Sequence, residues 1–426
     1  LGDRDAAEIR ASVGKQVVAT SAYWEHADDP LLAAFHEASA SAIPMPTAQE
    51  MQSAWVPIDQ ALKKVLTAGV SPHDALAEAK ARYEDFVKPP PPAPSAAPLA
   101  ALAGVALLAL AFFAVRRVRA PGFRRELSES MPAYKYVAHA AATIFVLVVL
   151  PLLAGAATSF YAGARDAPRF TGLGNYVEIL TARGKPLLSH GSFWLTLLVT
   201  TGWTVANVAL HVTLGLALGM LLARPFVRLR AIYRVLLILP WAVPSYVTAL
   251  AWKGMFHRQF GAVNALLAAM GLEPVSWFSQ FSTAFTANVA TNVWLGFPFM
   301  MVVVMGALTS IPRDVIEAAE VDGATRWQAF RLVTLPLLRP TLLPAVVLGS
   351  VWTFNMFNVV FLVSGGEPDG TTDILVSEAY RWAFARNAQF GYAAAYAVII
   401  FGLLALMSRV LGRIGGGRNG PDEADA

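Results

Sequence analysis

From residue 99 onward the chain alternates long apolar runs with short polar stretches. A run over Leu99–Val115 is followed by six more, near Val137–Tyr161, Phe193–Leu222, Ala231–Phe256, Ala284–Leu308, Thr341–Val363 and Gly391–Val410. Each approaches the roughly 20 residues a helix needs to cross ~30 Å of hydrocarbon. The pattern predicts an all-α polytopic membrane protein with about seven transmembrane helices, one anchor helix ahead of a six-helix core. Before residue 89 the pattern changes. Ile58, Leu62, Val65 and Leu66, then Ala75, Leu76 and Ala79, recur at helical spacing among charged residues. Ser71-Pro72-His73-Asp74 reads as a helix start, with Pro72 in the first turn and Asp74 near the positive end of the dipole.

Between the two regimes lies Pro89-Pro90-Pro91-Pro92-Ala93-Pro94-Ser95-Ala96-Ala97-Pro98. Such a run is extended, and ten residues at ~3.1 Å each reach roughly 30 Å. The predicted organisation is a water-soluble segment over 1–88, a linker over 89–98, the anchor helix over 99–115 and a basic loop over 116–134. The membrane domain then covers 135–412 and a tail covers 413–426. The chain begins at Leu1 with no signal-peptide pattern and is expected to be a piece of a longer protein.

Composition supports the membrane reading. Hydrophobic residues make up 56% of the chain and charged residues 15%, against about 25% charged in a soluble globular domain. There is no cysteine, which removes disulfides, zinc-thiolate sites and cysteine nucleophiles. The net charge of +4 comes from arginines between apolar runs and bears on topology rather than nucleic acid. Placing Arg116–Arg125 inside puts roughly twice as many lysines and arginines inside as outside. Residues 1–88 are then expected outside and the C-terminus inside.

The polar stretch Glu317–Pro340 sits between two apolar runs. Ser310-Ile311-Pro312 opens a helix, Gly323 after Asp322 can take the left-handed conformation that ends it, and Thr325–Val333 restarts one. Glu317-Ala318-Ala319, Asp322, Gly323 and Leu335-Pro336 together resemble the EAA loop of binding-protein-dependent ABC importers. That resemblance implies a pair of short helices docking into a groove of a separate ATP-binding subunit, itself a dimer. It also implies a second, homologous permease subunit and a bacterial inner-membrane location, with the N-terminus periplasmic and the C-terminus cytoplasmic. Phe170-Thr171-Gly172-Leu173-Gly174-Asn175-Tyr176, Leu239-Pro240-Trp241-Ala242-Val243-Pro244 and Asn292–Phe299 are similar to the maltose-type permeases of that family.

On that resemblance the chain is expected to import maltose, maltodextrin or a similar oligosaccharide. Asn292, Gly296, Phe299 and Asn355 fall on positions that line the family's sugar site. Phe299 stands where a tyrosine is usual, so one hydroxyl is missing. Trp352 and Asn358 join them as polar or aromatic residues at membrane depth, where an amide needs a partner and a sugar hydroxyl can provide one. The alternative for the asparagines is interhelical hydrogen bonding. His139 and His211 are expected in packing or interface roles, since neither has a second ligand at metal spacing.

Ile43-Pro44-Met45-Pro46, Met51–Trp55 and Val70–Leu76 resemble the C-terminal end of a maltose-type periplasmic binding protein. The first 88 residues are therefore expected to be a partial α/β segment, with Trp55 at a sugar-stacking position and the proline linker as a tether. No GxxxxGK[ST] occurs in the chain, so ATP hydrolysis is expected in another subunit, and no cofactor or metal is expected. Rival readings are an importer of glycerol phosphate or another disaccharide, an ion-coupled transporter, or a sensor that has lost transport. The ion-coupled reading wants a carboxylate at mid-membrane, and the six core runs contain none in their interiors.

Overall fold

The computed structural model describes residues 49–92, 94–163, 168–224 and 226–416, with single positions at 9, 30, 34, 37, 38 and 41. The Ile43-Pro44-Met45-Pro46 motif lies outside the described residues. Residues 1–51 and 52–426 are separate compact units, and the second carries the architecture that follows.

Helices α1 (Gln49–Ala68) and α2 (Pro72–Phe86) form a hairpin. Gly69, with φ +66°, turns the chain between them. Ser71 caps α2 as its sequence requires, its hydroxyl accepting from the Asp74 N–H at 3.1 Å. Lys64 pairs with Glu78 across the hairpin at 2.7 Å. Only helices occur among the described residues of this segment, where a partial α/β unit was expected.

Helix α3 (Ala97–Val118) occupies the expected anchor position. Only Arg119–Gly122 separates it from α4 (Phe123–Thr158), so the stretch expected to be a basic loop over 116–134 is mostly helical. The reason is local. Gly122 turns at φ +88°, and the charges then pair along or across helices, Arg125 with Glu129 at i,i+4 and Arg117 with Glu126, each at 2.8 Å. Helix α4 buries none of its side chains within the chain, as befits a helix facing lipid or another subunit.

A two-residue strand pair, β1 (Tyr161–Ala162) and β2 (Arg169–Phe170), follows in antiparallel register. Then come α5 (Gly174–Leu180), α6 (Phe193–Ala223), α7 (Arg230–Ala242), α8 (Ser245–Met255), α9 (Ala262–Ala269), α10 (Phe281–Thr309) and α11 (Arg313–Val321). The chain continues as α12 (Arg326–Phe354), α13 (Phe357–Val363), α14 (Leu375–Phe384) and α15 (Phe390–Gly416). Among the described residues five helices are long and apolar enough to cross a membrane, α4, α6, α10, α12 and α15 up to Arg413, and α7 with α8 makes a sixth if the pair is one span.

Two of the predicted spans differ in shape. The run over Ala231–Phe256 is bent by 95° between α7 and α8. Pro244 has no N–H to continue α7 and forces Val243 into extended backbone (ψ 134°). The span expected over Thr341–Val363 instead starts at Arg326 and breaks at Asn355–Met356 before α13. Arg331 and Arg339 interrupt the apolar run and hid its beginning; both are exposed.

The core forms where α6 and α10 pack. Gly215 and Gly219 lie one turn apart on α6, and a Cβ at Gly215 would sit 2.5 Å from Met300 Cβ and 2.8 Å from the backbone of α10. Small residues of this spacing let helices approach closely in lipid, where packing rather than water exclusion drives association. Polar anchors fix the neighbours. Trp203 on α6 donates to the Thr353 carbonyl at 2.9 Å, and Asn288 on α10 donates to Ser364 Oγ at 2.9 Å. Gly215→Val is expected to force the two helices apart at a cost of about 1–3 kcal/mol or more, read as a lowered unfolding midpoint in detergent.

Candidate functional site: a mid-helix cavity and an exposed helical knuckle

Halfway along α10 the α7–α8 bend and the C-terminal turns of α12 draw back and leave a cavity of about 380 Å³. Asn292, Gly296 and Phe299 line it from α10, and Trp352 lines it from α12. The structure thus gathers four of the six residues singled out in the sequence. Phe299 is the centre of an aromatic wall, its ring 5.4 Å from Trp352 and 6.0 Å from Trp241. Asn292 is buried, and its side-chain Nδ2 has no hydrogen-bond partner among the described residues. A buried amide left unpaired is costly, and Asn292 is a wall residue whose side-chain donor the chain itself leaves unsatisfied.

Asn355 and Asn358 are not on the cavity wall. Asn355 Nδ2 donates to the Val351 carbonyl of its own helix at 3.2 Å. Asn358 Nδ2 donates to Ser245 Oγ at 3.1 Å and ties α13 to the start of α8. Asn358 thus makes the interhelical bond that was the alternative reading of these asparagines, and Ser245, its partner, does line the cavity. Trp55 is exposed on α1 and does not line the cavity.

His211, expected from the sequence in a packing or interface role, lies on the wall. It projects from α6, is almost fully buried, and its Nε2 lies 3.0 Å from the Asn292 carbonyl. Gly296 makes room for it, since a Cβ there would sit 2.2 Å from His211 Cε1 and 2.3 Å from Nε2. The glycine and the histidine are one packing unit. Trp241, Ser245, Gly349, Thr353 and Met356 are among the other residues of the wall. No group of three or more metal-ligating side chains occurs among the described residues.

The second feature is at the end of α10 that carries Ser310. Helix α11 ends in a left-handed glycine, Gly323, at φ +82°, with the Ala324 N–H reaching back to the Ala319 carbonyl at 3.0 Å. Thr325 and Gln328 then form a reciprocal capping box that restarts the chain as α12. The result is a compact helix-turn-helix. Glu317, Ala318, Asp322, Gly323, Leu335 and Pro336 are exposed on it and Ala319 is half-buried. Large apolar side chains also stand in the open there, Val321 at 87% exposure and Trp327 at 66%. Exposed apolar groups on a rigid, charged knuckle are the composition of a protein-binding surface.

Fold and cavity together define a helical membrane protein with a cavity halfway through its helices. Residues 215–415 match the family described as "Binding-protein-dependent transport system inner membrane component". The trehalose/maltose transport system permease protein MalF of Thermococcus litoralis is 30% identical over 274 residues, which cover 64% of this chain and 89% of that protein. The chain belongs to this family and is a multi-pass inner-membrane protein. The maltose/maltodextrin transport system permease protein MalF of Escherichia coli (strain K12) is 40% identical over 253 residues, 56% of this chain and 48% of that protein. The chain therefore spans about half the length of such curated relatives. Among solved structures, a bacterial ABC transporter involved in the import of the acidic polysaccharide alginate has the same fold, with a TM-score of 0.59 at 18% identity, covering 70% of this chain and 99% of that one.

Proposed function

We propose that this chain is the membrane-spanning subunit of an ATP-driven importer of maltose- or maltodextrin-like oligosaccharides. The observation that carries this reading is the cavity. An aromatic wall halfway through the helices offers a sugar a flat face to stack on, and Asn292, Ser245 and Thr353 bring polar side chains to the same wall. The relatives named for maltose and trehalose transport support a sugar of that class. No carboxylate lines the cavity, which speaks against ion coupling through an acidic side chain.

In this reading the knuckle around Glu317, Gly323 and Leu335-Pro336 docks on a separate ATP-binding subunit, one of a dimer. A second permease subunit covers the open side of the cavity, where Trp241 and Trp352 are about half exposed. The knuckle lies on the cytoplasmic side and residues 1–88 on the periplasmic side, a placement that the distribution of arginines supports. Residues 1–88 are the last part of a sugar-binding protein fused to its permease, with Trp55 its stacking residue, and sugar from that domain enters the cavity when ATP closes the ATPase dimer.

The test is uptake in proteoliposomes holding the chain with its genomic neighbours, ATP inside and labelled maltose outside. ATP-dependent accumulation is expected, and uptake that follows an ion gradient without ATP overturns the reading. Asn292→Leu is expected to cut uptake about tenfold or more, since an apolar side chain cannot replace a hydrogen bond worth ~1–2 kcal/mol, while folding is retained. Uptake of glycerol phosphate but not of maltose selects the other solute class.

A further inference from the structure

The hairpin α1–α2 lies against the end of the bundle opposite the knuckle. It meets the two segments that cover that end, residues 178–192 and residues 364–392. Lys63 pairs with Glu367 at 2.7 Å and Lys64 with Asp369 at 2.8 Å. Both terminal nitrogens of Arg82 grip the two oxygens of the same Asp369 carboxylate. The polarity then reverses. Asp85 on the hairpin accepts from Arg183 Nε at 3.0 Å and pairs with Lys185 at 2.9 Å, and its backbone carbonyl accepts from Arg183 Nη2 at 2.9 Å. Phe86 closes the contact. It is 7% exposed, with the Trp382 ring at 5.8 Å and the Arg386 guanidinium at 4.9 Å, and its carbonyl accepts from Gln389 at 2.7 Å.

Two properties separate this from an incidental surface contact. The pairs are partly desolvated, with the side chains of Arg183 and Asp369 5% and 11% exposed, where an exposed pair would count for little. The charge order also admits one orientation. Cations face the 364–373 loop and an anion faces Arg183 and Lys185, so turning the hairpin round sets like charge against like. Burial pushes the Asp369 carboxyl up, but the hydrogen bonds and charges of Arg82 and Lys64 outweigh it and hold the group below the usual carboxylate range. It is ionised at neutral pH with Glu78 and His190 also beside it. The linker that follows is held as well. Lys88 lies 3.6 Å from Glu178, and Pro91 packs on the start of α5 so closely that a Cβ at Gly174 would sit 3.2 Å from Pro91 Cβ.

We propose that residues 52–91 are a seated clasp and not a free tether. The surface formed by residues 178–192 and 364–392 is an interaction site for a helical hairpin of this charge order, and the chain's own hairpin occupies it. The proline run is a strap fixed at both ends, by Phe86 and Pro91 at one and α3 at the other. Residues 52–91 are then held against the helical bundle, instead of ranging over the ~30 Å of a free linker. That this segment delivers sugar rests on the function proposed above; the clasp does not.

The chain has no cysteine, so a pair of introduced thiols reads the contact directly. The Cβ separation at 91 and 174 is close to the 3.5–4.5 Å of a disulfide. In the full chain in native membranes, Pro91→Cys with Gly174→Cys is expected to oxidise nearly completely. Adding Arg82→Glu is expected to slow the cross-link about tenfold or more, because it leaves Asp369 facing an anion. The conservative Arg82→Lys, which keeps a cation facing Asp369, is expected to retain most of the rate. Phe86→Ala, also on the hairpin and outside the membrane spans, is expected to slow it too. Slow, partial cross-linking that ignores Arg82→Glu overturns the clasp, and so does Arg82→Lys slowing it as much as Arg82→Glu. Cross-linking is scored without transport, so absence of maltose uptake would count against the proposed function and leave this result standing.

Discussion

Gly323→Pro is expected to abolish uptake while leaving the protein inserted in the membrane. Gly323 sits at φ +82° and its N–H donates to the Glu320 carbonyl at 3.1 Å. Proline fixes φ near −65° and has no N–H, so it removes the turn and the hydrogen bond together. The knuckle loses the angle between α11 and the start of α12. The rest of the fold is spared, because Gly323 is exposed and a side chain there meets nothing within 4 Å. A graded series separates shape from bulk. Asparagine, which tolerates the left-handed region, is expected to keep most uptake, and alanine, penalised there by about 1–2 kcal/mol, to keep less. Uptake and co-purification of the ATP-binding subunit are expected to fall together along Asn, Ala and Pro. Wild-type uptake in the proline variant removes the docking role of the knuckle.

The knuckle was legible in the sequence because its determinants are local. Gly323, the Thr325–Gln328 cap and the Ser71 cap of α2 each act within a few residues, and each takes the conformation its sequence prescribes. The long apolar helices were legible for the same reason, apart from the start of α4, the bend between α7 and α8, and the start of α12, where Arg331 and Arg339 broke the pattern. The cavity was only half legible. Its wall comes from residues near 211, 241–245, 292–300 and 349–356, and what assembles them is the approach of α6 to α10 at Gly215 and the 95° bend at Val243-Pro244. Neither follows from a period or a motif. Hydrophobic patterning cannot tell an asparagine on a cavity from one bonded to its neighbour helix, so Asn292 and Asn358 read alike until their partners were seen. The seat of the hairpin was invisible for a stronger reason. Arg82 and Asp369 are separated by 287 residues, and charge complementarity at that distance along the chain leaves no local trace.

The same long-range logic makes Gly296 the most sensitive point of the cavity. Gly296→Ala is expected to lower both stability and uptake sharply, although it adds one methyl group. That methyl would fall 2.2–2.8 Å from three atoms of the His211 ring, so the imidazole must leave its place and give up its contact with the Asn292 carbonyl. Overpacking of this kind costs about 1–3 kcal/mol, and the displaced ring would enter the cavity proposed to hold the sugar. His211→Ala alone leaves a void and is expected to cost less. The pair is therefore expected to couple, with His211→Ala/Gly296→Ala recovering most of the unfolding midpoint lost in the glycine variant, a coupling on the order of 1–2 kcal/mol. Uptake in the double variant then separates two roles of the imidazole. Recovery alongside stability makes His211 a filler that Gly296 accommodates, whereas a stable double variant that does not import makes the ring part of the sugar's binding surface. A double variant as unstable as Gly296→Ala alone would show that the glycine is needed for the backbone of α10 and not for the histidine.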